Sequence, residues 1–182
     1  MVTAQEIKKD LPGWPDGVIN GWLLGLANRP DTGWPPPDDV AAHAWGPILG
    51  WRPLSWWNGV TWKLEKRDLS YESLCKATQS AVTGIAKDIE DGNNRDNCTA
   101  RVNRAVEQLV KSGEFLESPV VMKLSDGLSV IDGNHRVTAL LSSQALAEAF
   151  ARRGHKVPST TQNAWVGQHS NGEVPLDYPE GL

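Results

Sequence analysis

Apolar residues recur along the chain with two different periods from residue 60 onward. Residues 60–64 alternate, with Val60 and Trp62 facing one way and Thr61 and Lys63 the other, which predicts a half-buried strand. From about Ser70, Leu74, Ala77, Ala81, Ile85 and Ile89 mark one face of a predicted helix that Asp91-Gly92-Asn93-Asn94 ends. A second helix is predicted from about Thr99, with the stripe Val102, Ala105, Val106, Leu109 and Val110, closed by Lys111-Ser112-Gly113. Then two short apolar runs (Val120, Val121, Met122 and Leu128, Val130, Ile131) flank Asp126-Gly127, the pattern of a β-hairpin. The second run leads through Asp132-Gly133-Asn134-His135-Arg136 into a helix predicted from Val137 to Arg152 or Arg153, stopped by Gly154. Residues 160–167 predict a last strand. The fold class expected is α+β: a small mixed sheet with flanking helices.

The first third follows neither period. Eight of the nine tryptophans precede residue 63, among eight prolines. Short helices are predicted at 16–28 and 38–45, each opened by an Asp that can cap free N–H groups, with Pro35-Pro36-Pro37 extended between them. Three roles suit such indoles: the core of a helical cap packed on the main domain, an exposed surface that docks a partner protein or a membrane interface, or stacking on nucleotide bases. The organisation expected is a mainly helical Trp/Pro-rich extension over 1–57, an α/β domain over 58–169, and a loose polar tail over 170–182.

Composition narrows the function classes. The 182-residue chain carries a net charge of −4, which argues against non-specific coating of nucleic acid but leaves room for a local basic site. Its two cysteines, Cys75 and Cys98, form neither a disulfide framework nor a CxxC pair, so a reducing cytosol is expected. Charged residues interrupt the N-terminus, so no signal peptide is expected. The apolar stretch at 22–27 is far too short to span a bilayer.

The sharpest chemistry lies at residues 132–136. A strand that turns through glycine into a helix aims backbone N–H groups and the positive helix end at one point, a ready anion site. Gly133 permits close backbone approach, Arg136 offers a planar fork of donors, and His135 can donate a hydrogen bond or move a proton. Asp132 could hold a divalent cation or only cap the turn, as Asn134 could. Glu114 and Glu117, just upstream, could reach the same pocket. Arg101 and Arg104 on the second helix, and Arg152 and Arg153 after the third, could track a nucleic-acid backbone or simply form solvated faces. His43, His155 and His169 have no metal-ligand spacing, and no P-loop or Ser–His–Asp signature is present.

The order of strand, acidic hairpin turn, strand, Asp132-Gly133-Asn134-His135-Arg136 and helix resembles the ParB/sulfiredoxin superfamily. The lead-in from Ser112-Gly113-Glu114 through Pro119-Val120-Val121 resembles that family as well, and the resemblance covers roughly residues 58–168. It implies a nucleotide site in which Gly133, Asn134, His135, Arg136 and Thr138 bind phosphate. The nucleotide expected is ATP or CTP with a divalent cation such as Mg2+. His135, Arg136 and Glu117 are then the catalytic candidates and Asp132 the metal candidate. Asn134 stands where sulfiredoxins need a thiol, so sulfinic acid repair is not expected. No helix-turn-helix segment follows the core, so centromere reading is not expected either. What remains is similar to plasmid fertility-inhibition proteins of the oncogenic suppression activity type. That likeness implies ATPase and DNase activity directed against DNA transfer through a type IV secretion system, in the cytoplasm or peripherally at the inner membrane. A secretion or coupling protein would be the partner. The alternative expectation is a non-catalytic nucleotide switch or adaptor that docks through its tryptophans.

Overall fold

The structure is a computed structural model that describes residues 1–40 and 43–175, with the backbone alone at Asp96. The helices are α1 (Ala4–Asp10), α2 (Asp16–Val18), α3 (Leu24–Ala27), α4 (Trp45–Ile48), α5 (Leu54–Trp57), α6 (Lys76–Glu90), α7 (Cys98–Ser112), α8 (Asn134–Ala145) and α9 (Ala147–Arg152). The strands β1 (Val60–Asp68), β2 (Val120–Leu124), β3 (Gly127–Asp132) and β4 (Thr161–His169) form one mixed sheet in the order β1-β4-β2-β3, with helices flanking it. The α+β class expected from the sequence is therefore the one observed. The chain divides into two compact units, Leu64–Trp165 and a second made of Met1–Lys63 with Val166–Leu182.

In the unit made of Met1–Lys63 with Val166–Leu182, five tryptophans are core. Trp45 and Trp57 are fully buried, and Trp14, Trp22 and Trp62 nearly so. Trp14, Trp22, Trp57 and Trp62 touch one another, with ring centroids 5.1 Å apart for the closest pairs. Burying an indole strands its one N–H unless a partner is found. Trp14 Nε1 accordingly donates to Trp57 O (3.3 Å), Trp57 Nε1 to Leu49 O (3.0 Å) and Trp45 Nε1 to Gly33 O (3.0 Å). No tryptophan belongs to the exposed large apolar side chains among the described residues, so of the roles expected for the indoles the core is the one observed.

The helix expected at 16–28 forms over 16–27, with one π-helical turn at Ile19–Leu23 joining α2 to α3. The wide turn holds one extra residue, so Val18, Ile19, Trp22, Leu23 and Ala27 all stay on the buried side. The helix expected at 38–45 is not found over 38–40, its residues 41 and 42 lie outside the described residues, and the helix there is α4, from Trp45. The tail is less loose than expected. Arg52 donates to Val174 O through Nε (3.2 Å) and Nη2 (3.0 Å), and Trp56 Nε1 donates to Glu173 (2.6 Å). His169 stacks on Trp56 at 4.4 Å. Residues 176–182 lie outside the described residues.

In the Leu64–Trp165 unit, α7 and α8 pack together and α6 packs on α8. The stripe of α7 faces inward as expected, with Val102, Ala105 and Leu109 buried. On α6 the buried face is instead Thr78 and Val82, while Ala77 and Ala81 are exposed; Leu74 precedes the helix in a short bridge to β3. The inward Thr78 then has a task an alanine could not perform: its Oγ1 accepts the outer N–H of Val130 on β3 at 2.9 Å. Cys75 N adds a bond to Leu128 O (2.9 Å), so this edge of the sheet is covered. Gly127 is where that cover presses closest. At φ +138, a Cβ there would lie 2.8 Å from backbone atoms of Ser73, Leu74 and Cys75.

Val120, Val121 and Met122 are all buried, the mark of an interior strand covered on both faces. β2 pairs antiparallel with β3 (Val121 opposite Val130, Met122 opposite Ser129), but Val120 lies opposite Asp132. Ile131 is the extra residue of a bulge, which re-aims the end of β3 just before the Gly133 turn. The last helix expected, to Arg152 or Arg153, is broken at Leu146 into α8 and α9.

Candidate functional site

The site is the junction of β3 and α8. Gly133 (φ +105, ψ 16) is the N-cap of α8, and no side chain caps that end. Asp132 and Asn134 therefore do not act as the cap residues that turn chemistry suggests. The first bond of the helix is Val137 N to Gly133 O (3.0 Å), so its hydrogen-bond ladder begins at Val137. α8 begins three residues earlier than hydrophobic periodicity indicates, so His135 and Arg136 lie within its first turn.

Arg136 organises the junction. Its Nη1 donates to both the main-chain O and the Oε2 of Glu117, each at 3.1 Å, and its Nη2 donates to Asp132 Oδ2. The guanidinium is one-fifth exposed, Asp132 about one-quarter, and Glu117 about two-thirds. A Cβ on Gly133 would lie 2.9 Å from Pro119 Cβ and 3.0 Å from Arg136 Nε. The space glycine leaves is thus filled by this protein's own proline and guanidinium.

Burial raises the Asp132 carboxyl above its ordinary value, and the Glu117 charge adds to that. Arg136 and Arg101 pull in the opposite direction. Arg101 on α7 therefore belongs to the electrostatic surroundings of the junction. Sequence spacing offered Arg101 only as one of two basic helix positions, and it gave no sign of this link.

The other expected residues are placed as follows. Thr138 is buried and donates to Asn134 O at 2.8 Å, so its hydroxyl is engaged within the helix. Asn134 Oδ1 is buried with no hydrogen-bond partner among the described residues. His135 is half-buried, next to Arg136. Glu114 is exposed, and no described hydrogen bond or ion pair joins it to the junction. Arg104 is exposed, as are Arg152 and Arg153, which lie at the far end of α9. The lead-in loop is fixed to β4 by Trp165 N on Pro119 O (2.9 Å) and Gln162 Nε2 on Gly113 O (3.0 Å).

Among the described residues, no three His, Cys, Asp or Glu side chains group as a metal site. The two carboxylates at this end of α8, Asp132 and Glu117, are both engaged by Arg136. No described helix is long and apolar enough to cross a membrane. The chain matches no protein-family model, no curated protein and no solved structure in comparisons with each.

Proposed function

We propose that the β3–α8 junction binds the phosphates of a nucleotide, ATP or CTP, and that the protein is a phosphohydrolase of the ParB/sulfiredoxin kind. What supports this is one observation: an uncapped N-terminus of a 12-residue helix, with Arg136 in its first turn and Arg101 coupled to the same spot, at the residues that carry the family resemblance. In this reading the uncapped start of α8 faces phosphate oxygens, and Arg136 stabilises phosphoryl charge. Asp132 is the residue that would hold a divalent cation, which neutralises phosphate charge when bound. In the same reading His135 moves a proton. DNA as a second substrate, the plasmid fertility-inhibition role and a type IV secretion partner extend the same proposal and rest on the resemblance alone.

The pairing of Arg136 with two carboxylates favours a second reading, a nucleotide switch without turnover. One experiment separates them. Phosphate release and plasmid nicking are followed together with Mg2+, ATP or CTP and supercoiled DNA, for the wild type, His135→Ala and Arg136→Lys. Turnover lost in both variants, with the fold retained by circular dichroism, supports the enzyme. Nucleotide binding without turnover supports the switch, and absence of binding sinks both.

A further inference from the structure

We propose that Glu117 is a built-in competitor for Arg136, one that a phosphate-bearing ligand must displace; this rests on the phosphate-site reading above. A helix N-terminus attracts negative charge, and here two carboxylates of the protein already hold the guanidinium in its first turn. Glu117 and Asp132 both lie on the guanidinium, which in turn lies against the Gly133 N-cap.

The two carboxylates are not equivalent. Asp132 is set by the bulge at the end of β3 and is mostly enclosed, with a side chain 26% exposed. Glu117 comes from the lead-in loop and is 68% exposed. Its carboxylate can swing into water at little cost, because exposed ion pairs are weak. Its main-chain carbonyl can stay on Nη1, so the guanidinium keeps its position while one of its donors is freed. Glu117 is therefore the exchangeable member and a positioning residue. Asp132 is the fixed anchor.

The test is titration of magnesium-free pyrophosphate, at low ionic strength, into the wild type, Glu117→Gln and Glu114→Gln. The last variant removes the same charge three residues away, at a side chain that no described hydrogen bond or ion pair joins to the junction. Glu117→Gln should tighten binding about two- to fivefold, the worth of an exposed ion pair, and Glu114→Gln should not. Binding that Glu117→Gln leaves unchanged or weakens, or that both variants tighten equally, overturns the inference and leaves the phosphate site standing. No pyrophosphate binding in any of the three proteins overturns the phosphate site, and the inference with it.

Discussion

Arg136 lays its guanidinium on the carboxylate of Asp132, four residues earlier, across the Gly133 turn that joins β3 to α8. The pair ties the end of a strand to the start of a helix and ends largely enclosed. Truncating one partner leaves the other charge poorly solvated. Arg136→Ala should therefore cost about 1–2 kcal/mol of stability, besides weakening the proposed phosphate binding. Thermal unfolding checks the first effect and pyrophosphate titration the second. A variant as stable as the wild type would show that the pair contributes nothing.

Asp132 gives the protein a pH signature. Its folded carboxyl is raised, chiefly by burial, so the folded state holds this proton to higher pH than the unfolded chain does. The stability it contributes is fully present below its unfolded value and is lost as pH rises through the raised folded value. The stability of the wild type relative to Asp132→Asn should thus fall as pH rises from the ordinary carboxylate range upward. Paired urea melts between acid and neutral pH measure the difference, and a flat or rising curve would contradict the assignment.

Trp57 and Trp56 are adjacent but should behave differently. Trp57 is fully buried and bonded to Leu49 O, so Trp57→Ala should cost about 3–5 kcal/mol. Trp56 is only half-buried, between Arg52 and His169, and its loss should cost clearly less. Urea melts followed by far-UV circular dichroism would rank them.

Two glycines should also separate. Gly127→Ala drives a Cβ against backbone of the 73–75 segment at an unfavourable φ, which should cost on the order of 2–3 kcal/mol. At Gly133 the nearest atoms belong to the side chains of Pro119 and Arg136, and the guanidinium can move. Gly133→Ala should cost about 1–2 kcal/mol and displace Arg136 in the process. Equal penalties in thermal melts would refute the distinction.

Local chemistry carried much of this protein in its sequence. The stripe of α7 needs only the 3.6-residue period, and the Gly113 and Gly154 stops need only a residue that tolerates positive φ, as both show. The Asp126-Gly127 hairpin and the strand-to-helix junction at Gly133 are likewise short-range, since each is set by neighbours a few residues apart. Contacts between distant segments decided the rest. The buried face of α6 turned to Thr78 because the β3 edge needs an acceptor for Val130 N–H, a requirement that exists only once α6 lies beside β3. The indoles went inside because Trp14, Trp22, Trp57 and Trp62, spread over some fifty positions, cover one another's apolar area. At the site, spacing could mark His135 and Arg136 but not what Arg136 holds. Glu117 reaches it from nineteen residues away, and the bulge at Ile131 that aims Asp132 depends on pairing with β2. Hydrogen bonds and ion pairs of that span are fixed by where the backbone brings each partner, and no local periodicity encodes it.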